Sequence, residues 1–204
     1  MVNAIKIFVE GGSFGKDVVF FRQGFSKFIS KLVATSHEQL QPKIIPCGSR
    51  GETYKAFRRA LRDEPEIYHI LLLDSEKPVS EEAWKHLSIY DRWKLTDGDN
   101  EHCHLMVEMM ESWFIADIEA LERYYGSNFH SNAIPRNPNV EKVSKRDVKT
   151  SLKKATQDTG KGEYHKTKHA PQILSLLDAS KVRSAAPHCD RLFTTLAGKI
   201  GVAL

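Results

Sequence analysis

Apolar positions along the first 125 residues switch repeatedly between two rhythms. Short continuous runs occur at Ile5–Val9, at Lys43-Ile44-Ile45 between Pro42 and Pro46, and at Tyr68–Leu73. A fourth run extends from His102 to Met109. Unbroken apolar runs of this length predict strands buried on both faces, as in a parallel sheet. Between them the period changes. Val18, Phe21, Phe25, Phe28, Ile29 and Leu32 form one stripe, predicting a helix over 17–33. Tyr54, Phe57 and Leu61 mark a basic helix over 52–62, and further helices are predicted over 79–93 and 111–125.

The rhythm changes again after the break at Asn137-Pro138-Asn139. A basic helix over 146–155 comes next, then a Gly/Lys loop through Thr159-Gly160-Lys161-Gly162. Two or three helices close the chain, with Ile173, Leu174, Leu176 and Leu177 on one stripe and Leu192, Phe193, Leu196 and Ile200 on another. Strand–helix alternation predicts an α/β fold with a mainly parallel sheet flanked by helices. The chain divides into an α/β domain over 1–126 and a basic, helical C-terminal extension over 127–204 packed on it.

Composition narrows the class. The 204 residues are 41% hydrophobic and 27% charged, an ordinary soluble balance that excludes disordered and fibrous chains. No run approaches the roughly 18 apolar residues of a membrane span, and no signal-peptide pattern opens the sequence, so a cytoplasmic location away from membranes is expected. The three cysteines, Cys47, Cys103 and Cys189, form no CxxC pair, which argues against a disulfide framework or zinc knuckle. The net charge of +4 is unevenly spread. Residues 1–120 carry 15 Lys+Arg against 19 Asp+Glu, and residues 121–204 carry 15 against 7. That basic half is either a solvated surface or a footprint for phosphate-bearing partners.

The acidic half holds the candidate chemistry. Functional groups of an open parallel sheet collect at the carboxyl ends of its strands, and three predicted strands end in acids. Glu10 closes the first, Asp74 and Glu76 close the third, and Glu108 or Glu111 lies at the fourth. Asp74 and Glu76 are two apart, so an extended chain projects both to one side. With Glu10 they form a hard-oxygen set suited to Mg²⁺ or Mn²⁺. Singly, each acid reads equally as a cap or surface turn. Glu111 stands open between a helix-start carboxylate and a fourth member of the site, and Glu108 is the weaker choice of the two. The Gly11–Asp17 loop departs from a nucleotide-binding P-loop. Glu10 stands where that motif needs Gly, and Asp17 where it needs Ser or Thr. A glycine turn that approaches a substrate phosphate stays open.

These residues carry a resemblance. Phe8-Val9-Glu10-Gly11 and Leu72-Leu73-Asp74-Ser75-Glu76 resemble the Toprim pattern of a Glu after the first strand and Asp-x-Asp after the third. Toprim domains are shared by topoisomerases, primases and the overcoming-lysogenization-defect (OLD) nucleases. Here Glu76 replaces the second Asp of the motif. With Leu105 to Phe114 and Lys166 to Leu177, the chain resembles more narrowly a Toprim-related domain-of-unknown-function family of bacterial phage-defence loci. The resemblance implies a metal-dependent nuclease acting on RNA or DNA, encoded beside an ABC-type ATPase. It also implies Mg²⁺ or Mn²⁺ held by Glu10, Asp74 and Glu76. Glu10 serves as ligand or general base, Glu111 supports the site, and Lys166 contacts phosphate.

The cluster of Lys161, Tyr164, His165, Lys166, Lys168 and His169 is suited to backbone contact, or else is an exposed helix start. Trp113, Phe114, Ile115, Ile118 and Leu121 are expected in the core. His102-Cys103-His104 offers a weak zinc reading, because alternate strand residues face opposite ways. Two other classes remain: a catalytically quiet module docking on a partner ATPase, and a nucleotide-binding protein using the glycine loop. A homo-oligomer is compatible with each.

Overall fold

The computed structural model describes residues 3–12, 15–31 and 41–202, with the backbone alone at Lys16. Leu32 and Val33, the end of the first predicted helix, and Ser13 and Phe14 of the glycine loop lie outside the described residues. Four strands form one sheet: β1 (Ile5–Val9), β2 (Lys43–Pro46), β3 (Tyr68–Asp74) and β4 (Cys103–Met106). Their spatial order is β2-β1-β3-β4, and every neighbouring pair is parallel.

Helices cover both faces, which is why β3 is buried at every position. On one face lie α2 (Arg50–Asp63) and α3 (Ala83–Asp91). Phe8, Leu71 and Leu73 pack there against Phe57 and Leu87. The opposite set, with Ile7, Ile70 and Leu72, meets α1 (Lys16–Ser30) through Phe21, Phe25 and Phe28. Period-two alternation thus sorts each strand's side chains between two cores.

The helix expected over 111–125 is two pieces, α4 (Ser112–Ile115) and α5 (Ile118–Tyr125). Asp117 separates them, accepting the Ala120 N–H at 3.2 Å and so capping α5. The strand expected to reach Met109 stops at Met106. Past it the chain turns, with Glu108 at φ 62°. The C-terminal half forms α6 (Lys145–Thr156), α7 (Lys166–Leu176), α8 (Ala179–Ala185) and α9 (Pro187–Ile200).

The C-terminal helices share the α1-side core, contributing Ile173, Leu174, Leu192, Phe193 and Leu196. Arg191 of α9 ties them to β4, donating to the carbonyls of Cys103 (2.8 Å) and Asn100 (2.5 Å). Among the described residues no helix is long and apolar enough to cross a membrane.

The seat of α7 on α1 depends on one glycine. A Cβ built at Gly24 would stand 2.4 Å from the carbonyl oxygen of Pro171 and 2.9 Å from its Cα. Backbone cannot yield there as a flexible side chain would. Gly24→Ala is therefore expected to destabilise the protein by about 3 kcal/mol, the upper range for overpacking, read as a lower urea midpoint. An unchanged midpoint would mean that α1 and α7 can separate freely. This contact matters to the site because α7 begins with Lys166.

Candidate active site

Three chain turns at the carboxyl edge of the sheet bring the charged groups together. The first follows β1. Gly11 and Gly48 form an antiparallel bridge, each N–H donating to the other's carbonyl at 2.9 and 3.0 Å. Gly11 has φ 122°, and a Cβ there would meet the Phe21 ring at 2.7 Å, so glycine is required. Because the bridge engages the Gly11 N–H, that amide is not directed at a phosphate.

Arg50, at the start of α2, spans the edge. It grips Asp91 through two contacts of 2.6 and 2.8 Å, reaches Glu10 at 3.4 Å and donates to the Asp74 carbonyl at 2.6 Å. Burial raises the pKa of half-buried Glu10, against the opposing pull of Arg50 and Lys166.

The second turn follows β3. Asp74 is the last strand residue and is 5% exposed. Its Oδ1 accepts the Met110 N–H at 2.7 Å, and its Oδ2 lies 3.4 Å from the Lys166 Nζ. Burial lifts its carboxyl to about 6, with Glu111 and Glu10 adding to the rise and Lys166 opposing it. The extended geometry expected through Glu76 is not present. The strand ends at Asp74, and Glu76 adopts φ 63°. Both acids still enter one cleft, Asp74 from its buried floor and Glu76 from an exposed rim, where Glu76 pairs with Lys145.

The third turn follows β4 and buries both of its acids, aimed at different partners. Ser75 Oγ accepts the Glu108 N–H at 2.7 Å, fastening this turn to the second. Glu108 sends its carboxylate to the Lys145 N–H at 3.1 Å, at the start of α6, where a negative charge suits the helix end. Glu111 is 1% exposed and makes no capping bond to α4. Its Oε1 accepts the Tyr164 hydroxyl at 2.8 Å, while its Oε2 has no partner among the described residues. Glu111 thus stands at the helix start, as one of its two readings expected, but its side chain turns to Tyr164 and not to the helix amides.

All five predicted residues, Glu10, Asp74, Glu76, Glu111 and Lys166, line one cleft of about 520 Å³. Its wall holds residues that the sequence did not single out. Lys145, Lys149 and Lys153 of α6 face it together, as a four-residue spacing on a helix requires. That spacing was a visible signal for a basic stripe. Arg50 had no comparable signal, since its partners are remote in sequence, and Tyr164, though part of the basic, aromatic cluster, gave no sign of its pairing with Glu111.

The basic cluster near Lys166 is divided. Tyr164, His165 and Lys166 line the cleft. His169 is buried, taking the Tyr125 hydroxyl at 3.0 Å and the His165 N–H at 3.2 Å, and Lys161 lies 5.0 Å over the Tyr124 ring. The His102-Cys103-His104 stretch does not assemble a zinc site. His102 bonds the His69 carbonyl at 2.6 Å, and His104 bonds the Glu101 carbonyl at 3.1 Å. Burial and Arg191 hold the pKa of His104 down to about 3, keeping the ring neutral.

Among the described residues no group of three or more His, Cys, Asp and Glu side chains is arranged to hold a metal ion. The hard-oxygen donors suit Mg²⁺ or Mn²⁺ in chemistry, and the partnerless buried oxygen of Glu111 is a ready lone pair. Arg50 on Glu10 and Lys145 on Glu76 engage two of the three expected ligands.

Fold and site together define an α/β protein with an all-parallel sheet and a charged cleft over its carboxyl edge. The chain belongs to the family described as "Domain of unknown function (DUF4276)", which matches residues 18–197. Asp74, Glu76, Glu111 and Lys166 fall inside the matched segment, and Glu10 precedes it. No curated protein and no solved structure matches the chain.

Proposed function

We propose that this protein is a metal-dependent nuclease that hydrolyses phosphodiester bonds of RNA or DNA in this cleft. One observation carries the reading: a floor of carboxylates, two of them buried, faces a wall of lysines within a single cleft. Burying like charges is costly unless a cation or a reaction requires them. The Toprim resemblance supports the same chemistry, and the narrower resemblance to a family of phage-defence loci implies a role as a defence effector.

Each group has a physical role in this reading. Lys149 and Lys153 hold the nucleic-acid backbone through sequence-independent contacts. Lys166, at the junction of wall and floor, neutralises charge developing on the phosphate. Glu10, with its raised pKa, accepts a proton from the attacking water. Asp74 would anchor the cation, and Mg²⁺ or Mn²⁺ bound there would supply Lewis-acid polarisation of the phosphoryl group.

The quiet docking module gains no specific support. Among the described residues, the large apolar side chains exposed to solvent apart from Leu176, namely Val19, Phe20, Ile89 and Tyr90, lie outside the C-terminal helices. Incubation with mixed tRNA, plasmid and single-stranded DNA, in Mg²⁺ or Mn²⁺ and in chelator, tests the proposal. Cleavage of at least one polymer in metal alone is expected. Intact polymers at every metal concentration would remove it.

A further inference from the structure

Glu111 is the one carboxylate of the floor whose surroundings leave it incomplete. It is 1% exposed, yet only Oε1 has a donor, the Tyr164 hydroxyl at 2.8 Å. Oε2 is buried without any partner among the described residues. Buried polar atoms nearly always find one, and an unpaired carboxylate oxygen is among the costliest exceptions.

Asp74 stands beside it with both oxygens partnered, one of them only at long range. The chain itself links the two, because Met110, the residue before Glu111, donates its N–H to Asp74 Oδ1 at 2.7 Å. Among the described residues Oδ2 meets only Lys166, at 3.4 Å. Burial opposes the charge on Lys166, but Asp74, Glu111 and Glu10 outweigh it and hold its pKa above the ordinary lysine value. The Lys166 side chain is nonetheless 49% exposed and free to swing outward. The other two acids are engaged elsewhere, Glu10 with Arg50 and Glu76 with Lys145.

We propose that Asp74 Oδ2 and Glu111 Oε2 are the protein ligands of a divalent cation and that Lys166 is its stand-in. The lysine ammonium neutralises this pair in the metal-free protein and passes to the substrate phosphate when the metal enters; that second half rests on the nuclease reading. Two carboxylates are enough, since Mg²⁺ commonly takes one or two and completes its shell with water and phosphate oxygens. This seat needs no group of three acids, in keeping with the arrangement of the described residues. Tyr164 is a positioning residue: by holding Oε1 it fixes the carboxylate at the cleft and leaves Oε2 as the oxygen without a donor among the described residues.

Mn²⁺ binding to the full chain, by calorimetry without nucleic acid, tests the seat. Glu111→Gln and Asp74→Asn are expected to weaken binding by about tenfold or more, and Tyr164→Phe by a smaller factor. Glu76→Gln is expected to keep the wild-type affinity. Lys166→Met carries the sharpest expectation, binding about tenfold tighter because the competing cation is gone. Circular dichroism confirms folding of each variant, and the exposed position of Lys166 keeps the test decisive if Glu111→Gln fails to fold. Weaker binding in Lys166→Met would overturn the stand-in role. Loss of binding in Glu76→Gln, with Glu111→Gln unaffected, would overturn the seat. Mn²⁺ bound as expected with no polymer cleaved would sustain the seat and remove the nuclease reading. Metal-dependent cleavage with binding indifferent to Glu111→Gln would do the reverse.

Discussion

Asp74→Asn is expected to abolish polymer cleavage while making the folded protein more stable at pH 8. The loss of activity should be on the order of a thousand-fold, the scale on which a single electrostatic group at a reacting centre is felt. The gain in stability follows from linkage. In the folded protein Asp74 titrates at about 6, above the 3.8 of an unperturbed Asp. A raised folded pKa favours the folded state fully below 3.8, and this advantage is lost as pH rises through 6. At pH 8 the ionised carboxylate is therefore a burden of up to about 3 kcal/mol, at roughly 1.4 kcal/mol for each pKa unit. Asparagine carries no charge and keeps an oxygen for the Met110 N–H. Thermal unfolding should show the variant melting higher at pH 8, by about 2 to 4 °C per kcal/mol, and near the wild type at pH 4. Lower stability at pH 8 would mean that the charge is retained for structure and not for chemistry.

The α6 lysines give the second large effect. Lys149 and Lys153 are exposed, one helical turn apart, and both face the cleft. Replacing both with alanine should leave the fold intact, since Val148, Leu152 and Ala155 carry the buried face of α6. Affinity for a nucleic acid should fall on the order of tenfold at low salt, with the slope of log affinity against log salt shallower by about 2, close to one per lost phosphate contact. The effect belongs in KM, with kcat nearly unchanged, because these side chains position the backbone without touching the reacting phosphate. An unaltered salt slope would make the stripe a solvated helix face.

What could be read from the sequence follows from the range of the interactions involved. β3 was legible because burial on both faces leaves His69 as the one strongly polar residue among the six before Asp74. The first helix showed itself through Phe21, Phe25 and Phe28, which recur at the helical period and meet the sheet. Strand ends bearing Glu10 and Asp74 followed from the same local signals.

Other features depended on contacts between distant residues. The fourth strand was read as too long because Val107, Met109 and Met110 are as apolar as β4, yet they pack inside a turn fastened by Ser75. Helical periodicity continued through Asp117, so the division between α4 and α5 was hidden by an acid that looks ordinary in sequence and is buried in the fold. Arg50 joins groups 24 to 41 residues away, and Tyr164 meets Glu111 across 53 positions. No spacing rule reaches so far. The acids were visible singly; how they are paired depends on the lysines and the tyrosine that the C-terminal segment brings over the sheet.

The central claim, phosphodiester hydrolysis by a cation held at Asp74, is tested most directly with a small substrate that removes any question of which polymer is cut. Bis(p-nitrophenyl) phosphate in saturating Mn²⁺ serves this purpose, with nitrophenolate release followed for the wild type, for Asp74→Asn and for the wild type in chelator. The account predicts metal-dependent release by the wild type alone. Equal release by wild type and Asp74→Asn, or none from folded, Mn²⁺-loaded wild type, would contradict it.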